Sequence, residues 1–296
     1  MPSLGPLIRM RALAIDDLPH HPSLSHSENQ TGTAIEPFIA AALSEATTFM
    51  QTYLPQNFRV KAASKSSPPS TAGVKLLECS VVPSELPAEV RGSSSETWFA
   101  RVSVHSNEAK SGTASWEEFD SGLRKNHSQH EMEYTPDVYD AHEVLNWDAQ
   151  LDAVQRRVGE WEEVHVAVME MAHKIPMPLN NRVFPELVIT ARKGEREFIV
   201  VQIPVSTNDL PEAKYRNDSS VVTGMYCSVE LGEVIDEGKQ VRWSMATASD
   251  AGGSLPMWMQ KMGIAAAVVK DVGLFVDWCG KTRKSGSQVR CMCCRA

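Results

Sequence analysis

The feature that most constrains this chain is a run of short strand patterns that ends in one long amphipathic helix pattern. The helix pattern spans residues 255–278 and follows Gly252-Gly253, with Ser254 as its predicted N-cap and Pro256 in its first turn. Because short loops and not helices join the strand patterns, they predict an antiparallel sheet in an α+β domain. The six strand patterns are 137–145, 164–171, 187–192, 198–205, 224–231 and 241–248.

The first part of the chain adds further elements. A helix pattern at 35–53 precedes strand patterns at 58–63, 74–82 and 97–105. Ser115 and Glu118 have the spacing of a capping box, which predicts a helix that runs toward Tyr134. A sheet curled around the last helix would leave a hollow between them, and such a hollow is the usual place for an apolar ligand.

Composition along the chain predicts one folded domain with two irregular ends. Residues 1–33 are rich in Pro, Ser, His and Asn without sustained periodicity, and they predict a disordered leader. The folded domain is predicted over 34–280, and residues 281–296 predict a basic, Cys-rich flexible tail. Two interpretations of the tail thiols stay open, incidental cysteines or acylation that helps to hold the protein on a membrane. The tail cysteines are Cys291, Cys293 and Cys294.

The charge balance excludes one class of partner. The chain has 29 Lys and Arg against 37 Asp and Glu, and its net charge of −8 argues against nucleic acid, because phosphate binding needs clustered basic residues. Residues 1–15 lack the continuous apolar stretch of a signal peptide, and the longest uncharged apolar stretch, 262–269, is too short to cross a bilayer. These observations predict a cytoplasmic protein with reduced cysteines.

The last helix pattern has one apolar face that contains a single lysine. At about 100° per residue, eight apolar side chains fall within an arc of roughly 160°. Lys261 lies inside this arc, where its side chain could extend to the rim, pair with a carboxylate of the sheet, or face a ligand oxygen. The apolar residues of the arc are Trp258, Met262, Ala265, Val268, Val269, Val272, Phe275 and Val276.

The strand patterns offer matching surfaces for this helix. Trp243 and Met245 alternate with polar residues, which predicts that they share an apolar face. Glu170 ends an apolar row of alternate residues in 164–170, and Gln202 is the one polar residue of 198–205. Glu170 and Gln202 are therefore candidate polar contacts inside the hollow, with satisfaction by backbone or water as the alternative.

No catalytic or metal-binding signature is complete. His142-Glu143 begins like a zinc-binding helix motif, but Asn146 stands where the second histidine is needed. His127 and His130 are one helical turn apart, and we interpret them as part of a solvated helix face. Gly280-Lys281-Thr282 lacks the upstream glycine of a phosphate-binding loop. The sequence therefore predicts no catalytic residues, no metal and no cofactor.

Several segments together carry a family resemblance. They are SWEEFDSGL from Ser115, NHS from Asn126, EMAHKIPMPL from Glu170, RVFP from Arg182, FIVVQIPV from Phe198, MATASDAGGSLPMW from Met245 and VKDVGLF from Val269. In this combination the chain resembles a fungal family of START-like proteins, the domain of unknown function 3074, over roughly residues 90 to 280. The resemblance implies a helix-grip fold, in which a curved antiparallel sheet grips a long C-terminal helix around an apolar cavity.

The resemblance also implies a class of function. Related START domains bind or carry sterols and phospholipids, and other helix-grip proteins fold or cyclise polyketide chains. Our first hypothesis is therefore binding or transfer of a hydrophobic small molecule, with transient membrane contact. The second is an enzyme that uses the same cavity for cyclisation or rearrangement, and the third is a non-catalytic scaffold with a closed core. The candidate ligand contacts are Lys261, Glu170, Gln202, Trp243, Met245, Trp258, Met262 and Ala265.

Overall fold

One mixed but almost wholly antiparallel sheet organises the computed structural model, which describes residues 4–24, 34–86, 90, 95–253 and 257–293. Nine strands pair in the order β1-β2-β3-β10-β9-β7-β6-β5-β4, and β8 adds a short parallel pairing to β6. The strands are β1 (Arg59–Lys65), β2 (Val74–Val81), β3 (Glu96–Ser106), β4 (Val138–Asn146), β5 (Glu162–His173), β6 (Asn181–Lys193), β7 (Glu197–Pro204), β8 (Val221–Thr223), β9 (Met225–Ile235) and β10 (Gln240–Asp250).

Helices cover the two faces of this sheet. They are α1 (Ile35–Thr48), α2 (Leu54–Asn57), α3 (Trp116–Phe119), α4 (His127–Tyr134), α5 (Asp148–Ala153) and α6 (Met257–Cys293). The predicted capping box begins α3, since Ser115 Oγ accepts from the Glu118 N–H while Glu118 Oε2 accepts from the Ser115 N–H at 2.8 Å. The single helix predicted from there is instead divided into α3 and α4, because Asn126 adopts a left-handed conformation with φ 47°.

The sheet is buried on both faces. Val166 and Val168 of β5 pack into one cluster with α1, on what we call the outer face. Met169 and Met171 pack into a second cluster with α3, α4 and α6, on the inner face. Strands β6 and β7 are buried along nearly their whole length, as their apolar sequences require. The predicted α+β class, with a long last helix against an antiparallel sheet, is therefore confirmed.

Helix α6 is longer than its predicted span. Val272, Phe275 and Val276 are buried on the inner face, with the Phe275 ring 5.2 Å from the Trp243 ring. The helix continues to Cys293, so α6 includes the backbone of residues 281–293, for which the sequence predicted an irregular tail. Arg283 helps to hold this end of α6 against the domain, since its Nε lies 2.6 Å from Glu118 Oε1 of α3.

Some of the predictions about α6 lie outside the described residues, among them Ser254, Pro256 and Cys294. Within the described part of the chain, α6 and the other helices all lack a segment with the length and hydropathy needed to cross a bilayer.

The N-terminal segment packs on the outer face. Ile8, Leu13 and Leu18 are fully buried in the same cluster as α1, and Leu13 forms a parallel bridge with Val205. The predicted disordered leader is therefore wrong for residues 4–24, while residues 25–33 lie outside the described residues. Periodicity did not predict this packing, because the apolar side chains occur at irregular intervals. The segment forms no long helix or strand that would give a regular pattern.

Candidate functional site

An open groove of about 960 Å³ lies between α6 and the β1–β2 edge of the sheet. One wall is formed by α6, and the other by Ala62, Leu76 and the loop of residues 65–69. Four lysines and two carboxylates also line the groove, and Lys61 is paired with Glu78 at 2.7 Å. Four of the residues that the sequence analysis selected line this groove, namely Trp258, Lys261, Met262 and Ala265.

Two of these four residues lie differently from the expectation. Trp258 and Met262 were expected as walls of an internal cavity, yet they are 65% and 67% exposed. The reason is that α6 stands away from the sheet in its first turns, so that its continuous burial begins only near Val268. Trp258 and Met262 therefore form the outer lip of the groove, while Ala265 lies deeper, packed against the cluster that contains Met245.

A close contact between α6 and the β1–β2 loop closes one end of the groove. The Gly273 N–H donates to Ser67 Oγ at 2.9 Å, and Ser67 Oγ donates to the Lys270 carbonyl at 3.3 Å. A Cβ at position 273 would lie 2.7 Å from the Ser67 carbonyl oxygen, so only glycine permits this approach. The loop and the helix are thus held together at Gly273 and separate toward Trp258.

The floor of the groove lies beside buried polar groups. Leu76, Met245 and Val268 form a small buried cluster, against which Ala265 and Val269 of the groove pack. Met245 is flanked in register by Arg101 on β3 and by Glu230 on β9. Side chains that are directly opposite in adjacent strands share a face. The hydrophobic floor therefore continues along the inner face into a polar region.

The polar region contains a connected set of side chains on β6, β7, β9 and β10. Gln202 Nε2 donates to Glu186 Oε2 at 2.7 Å, and Gln202 Oε1 accepts from Ser228 Oγ. Trp243 Nε1 donates to Glu230 Oε2 at 2.9 Å. The structure thus places Gln202, Trp243 and Met245 on the inner face, and for Trp243 and Met245 this agrees with the shared face that alternation predicted.

Arg101 is the most unusual member of the polar region. Its side chain is only 1% exposed, and its guanidinium carbon lies 3.7 Å from the centre of the Trp243 ring. Within the described part of the chain its Nε and Nη1 make no hydrogen bond. Buried polar groups are normally hydrogen-bonded, and buried charges are normally paired, so an unpaired buried guanidinium points to a group that the protein chain itself does not supply.

Helices α4 and α6 add titratable groups to the same region. Burial and the nearby charges of Glu230 and Asp271 raise the pKa of Glu131 to about 8. Burial also raises the pKa of Asp271 to about 6, against the lowering effect of Arg101. His127 is 4% exposed, so its interpretation as part of a solvated helix face is wrong. Periodicity showed that these residues share a helix, but not that the sheet covers that helix.

Glu170 does not belong to this region. It lies on the outer face, where its carboxylate accepts from the Lys214 N–H at 2.7 Å and from Thr207 Oγ1 at 3.2 Å. Its selection as a contact inside the hollow is therefore wrong. Glu170 shares its face with Val166 and Val168, and it is the alternate residues of β5, such as Met169, that face α6.

The sequence analysis missed the charged residues of the inner face. A signal for two of them was present, because polar residues at alternate positions in predicted strands mark a polar row. Arg101 begins such a row in β3, and Glu230 ends one in β9. Glu131 and Asp271 lie on different helices, and only the fold brings them together.

Comparison with known proteins assigns the chain to a family. The family described as "Protein of unknown function (DUF3074)" matches residues 98–279, which include most of the sheet and the greater part of α6. The chain belongs to this family. An uncharacterized protein of Schizosaccharomyces pombe is 27% identical over 190 residues, which are 63% of this chain and 69% of that protein.

A solved structure shows the fold to which the family belongs. The crystal structure of human STARD10 matches with a TM-score of 0.55 and 12% identity, over 91% of this chain and 86% of that one. Human StAR-related lipid transfer protein 5 matches with a TM-score of 0.46 and 11% identity, over 79% and 96% of the two chains. The resemblance to the START-like family and the expected helix-grip fold are confirmed.

Proposed function

We propose that this protein binds a hydrophobic small molecule with a polar group at one end, such as a lipid, a sterol or a polyketide-like compound. One observation carries the proposal, namely an open groove that packs over the cluster of Met245, whose register neighbour Arg101 is buried and has no hydrogen bond on Nε or Nη1 among the described residues. The hydrocarbon would lie along α6, and the polar end would reach the inner face. Membership of a family with the START-like fold supports this arrangement.

Burial of hydrocarbon would supply most of the binding energy. Each Å² of apolar surface removed from water contributes about 25 cal/mol. Ala62, Ala265 and Ala266 leave room for a chain, and Met245 at the floor has a flexible side chain that adapts to irregular ligands. Lys261 would lay its hydrocarbon stem along the groove and keep its charge at the rim.

The lip of the groove supports a membrane as the source of the ligand. Trp258, Met259 and Met262 are 65%, 44% and 67% exposed on the first turns of α6. Lys261, which lies between Trp258 and Met262 on α6, also lines the groove. Apolar side chains next to lysines favour contact with an anionic bilayer surface, where the former enter the interface and the latter meet the lipid charge. Loading would therefore occur during transient contact of this lip with a membrane.

One observation favours an enzyme as the second candidate function. The pKa of Glu131 is raised to about 8, so that this carboxyl group holds a proton at neutral pH and could donate it to a bound compound. Its neighbour His127 could accept a proton. Rearrangement or cyclisation of the ligand could use such a pair. Incubation of the protein with its bound compound, followed by mass spectrometry, would separate the two functions, because only an enzyme changes the compound.

Filling the groove tests the proposed function. Ala265→Trp places a large ring in the groove, whereas Ala267→Trp puts the same ring on a part of α6 that does not line it. We expect Ala265→Trp to weaken binding of a fluorescent alkyl probe at least tenfold, and Ala267→Trp to leave it unchanged. Equal probe binding by the two variants would contradict the proposal. Native mass spectrometry of protein purified from its own source would identify the natural ligand.

A further inference from the structure

A separate cavity of about 220 Å³ lies at the start of α4. Its walls include Ser128 of α4, His165 of β5 and Thr190 of β6. Its floor consists of three inner-face residues of the sheet, Ala167, Met169 and Val188. The cavity continues, through residues that line both, into an open cleft of about 740 Å³. Neither space shares a lining residue with the groove beside α6, so what binds here is independent of the proposed function.

Strand register and hydrogen bonds fix the walls of this cavity. His165 and Thr190 are directly opposite each other on β5 and β6, so their side chains share a face. His165 Nδ1 lies 3.0 Å from Asp148 Oδ1, and Arg156 Nη1 donates to the same oxygen at 2.9 Å. An ionised carboxylate only accepts, so the imidazole hydrogen is on Nδ1 and faces Asp148. Nε2, on the other side of the ring, is left for a further partner.

Two buried hydroxyl groups of the cavity have no partner. Ser128 is 5% exposed and Thr190 is 3% exposed. Neither hydroxyl makes a hydrogen bond within the described part of the chain. Buried hydroxyl groups are normally hydrogen-bonded, so these two indicate a group that the protein chain does not supply.

The other groups without partners at this site are N–H donors. Arg192 lines the cleft on the same face of β6 as Thr190, and its buried Nε makes no hydrogen bond to the described residues. Asn126 is the N-cap of α4 and lines the cavity, but its side chain makes no capping hydrogen bond. The first N–H groups of a helix have no partner inside the helix, and they favour a negative charge. The missing group is therefore an acceptor with a negative charge.

The carboxylates around the two spaces do not compete for these donors. Five lysines and arginines line the cleft and the cavity, against four carboxylates, namely Glu143, Asp148, Glu162 and Glu163. Each of the four already accepts a hydrogen bond from an arginine or asparagine side chain. Lys125, in contrast, is 53% exposed, and its Nζ lies 4.0 Å from Glu163 Oε2. Its charge is available to an anion in the cleft.

We propose that this cavity binds a phosphate group, and that the cleft holds the rest of the phosphorylated molecule. Phosphate oxygens accept from the hydroxyl groups of Ser128 and Thr190, from Arg192 Nε and from the N–H groups at the start of α4. The hydrogen of a singly protonated phosphate is donated to Nε2 of a neutral His165. A carboxylate has only two oxygens and no hydrogen to give, so it would satisfy fewer of these groups.

Calorimetric titration with inorganic phosphate tests the site, with ionic strength held constant by sodium chloride so that unspecific charge effects cancel. We expect one phosphate to bind per chain. Thr190→Val keeps nearly the same shape without the hydroxyl and should weaken binding about tenfold, because a hydrogen bond to a charged group is lost. Thr190→Ser keeps the hydroxyl and should bind nearly as wild type does. Ser128→Ala is a second variant and should weaken binding to a similar extent.

A control variant and the melting temperature exclude a structural role. Ser121→Ala removes an exposed hydroxyl that lines neither space, and it should leave phosphate binding unchanged. Thr190→Val breaks no hydrogen bond of the described chain, so its melting temperature without phosphate should not fall. If it falls, the hydroxyl is bonded within the protein and the proposal is wrong. The proposal is also wrong if wild type binds no phosphate, or if Thr190→Val and Thr190→Ser bind it equally, since water alone would then fill the cavity.

Two further probes distinguish the source of the phosphate group. Glycerol 3-phosphate represents a soluble phosphate ester, and vesicles of phosphatidylcholine with and without phosphatidic acid represent a lipid head group. The probe that displaces inorganic phosphate identifies the source, and either result supports the site if Thr190→Val weakens that displacement. If neither probe displaces inorganic phosphate, the cleft does not accept a phosphorylated molecule, and that part of the proposal is wrong.

Discussion

At the scale of the residue, two arginines show the difference between a hydrogen-bonded and an incompletely bonded buried charge. Arg9 and Arg101 are each 1% exposed. Arg9 Nε donates to the Gly5 carbonyl at 2.9 Å, and its Nη1 lies 3.4 Å from Glu96 Oε2, so the fold compensates its burial. Among the described residues, Arg101 has the face of the Trp243 ring as a close partner and the charge of Asp271 nearby, but its Nε and Nη1 make no hydrogen bond. The fold therefore compensates the burial of Arg101 less completely than that of Arg9.

Substitution of the two arginines should have opposite consequences. Arg9→Met leaves the buried Glu96 without its cationic partner, while the hydrogen bonds from the Met10 N–H and Trp98 Nε1 remain, and should lower the free energy of unfolding by about 3 kcal/mol. Arg101→Met removes a charge without an ion-pair partner, and should change the free energy of unfolding by no more than about 1 kcal/mol. We expect this variant to lose ligand binding. Urea denaturation measures both values. A loss for Arg101→Met as large as that for Arg9→Met would show that Arg101 stabilises the fold.

Glu131 should make stability depend on pH. Burial raises its pKa from 4.5 to about 8, so across this window the unfolded chain loses a proton that the folded protein keeps. The stability contributed by protonated Glu131 is therefore complete below pH 4.5 and is lost as the pH rises toward about 8. From about pH 5 to about pH 8, wild type should lose at least about 1 kcal/mol more stability than Glu131→Gln. Denaturation curves at several pH values test this, and parallel profiles would contradict it.

At the scale of the element, glycines in α6 decide how the helix approaches the sheet edge. A Cβ at position 273 would meet the Ser67 carbonyl oxygen at 2.7 Å, while a Cβ at position 263 would meet no atom of the described chain within 4 Å. The first glycine lets the β1–β2 loop touch the helix. The second is exposed on a side of the helix that does not line the groove. One helix thus holds the loop at one end and leaves the groove free at the other.

The two glycines should respond oppositely to alanine. Gly273→Ala forces the loop away and disturbs the hydrogen bond to Ser67, which should lower the free energy of unfolding by about 1–3 kcal/mol. Gly263→Ala meets no obstacle and removes the entropic cost of glycine, so it should add about 0.5–1 kcal/mol. Thermal denaturation of the two variants gives the signs. The same sign for both would mean that the contact at Gly273 does not constrain the loop.

The strands were predictable to the extent that their residues follow the alternating pattern. The pattern over 137–145 corresponds to β4, and the pattern over 241–248 corresponds to β10. In contrast, β6 begins at Asn181, six residues before its predicted start. The predicted pattern begins only after Pro185, because proline is rare inside a strand. The Pro185 carbonyl accepts from the Val205 N–H at 3.1 Å, which shows that its backbone faces β7. The regular pairing to β7 starts only at Glu186, so the missing N–H of Pro185 interrupts no ladder there.

At the scale of the whole molecule, the sheet separates two cores with different tasks. The outer core, with α1 and residues 4–24, contains large side chains and the buried pair of Arg9 and Glu96. The inner core, with α3, α4 and α6, contains the polar region and borders the groove. The outer core therefore supports the sheet, and the proposed binding site lies on the inner side of the sheet.

The N-terminal segment should contribute to stability although it lies outside the family match, which begins at residue 98. Ile8 is fully buried, so Ile8→Ala should lower the free energy of unfolding by about 2–5 kcal/mol. Met177, which is 92% exposed, offers a control, and Met177→Ala should change it by no more than about 0.5 kcal/mol. Chemical denaturation measures both. A cost for Ile8→Ala no greater than for the control would mean that the segment is not part of the folded domain.

The sequence by itself determined the class of the fold, most of the strands, the last helix and the face that Trp243 and Met245 share. Alternation and helical periodicity are local properties, and they separate the two sides of an element reliably. They do not say what covers each side. Only the tertiary structure decided that α6 covers the face opposite Glu170, and that Arg101 and Glu131 meet there, because contacts between distant segments depend on the order in which the strands pair.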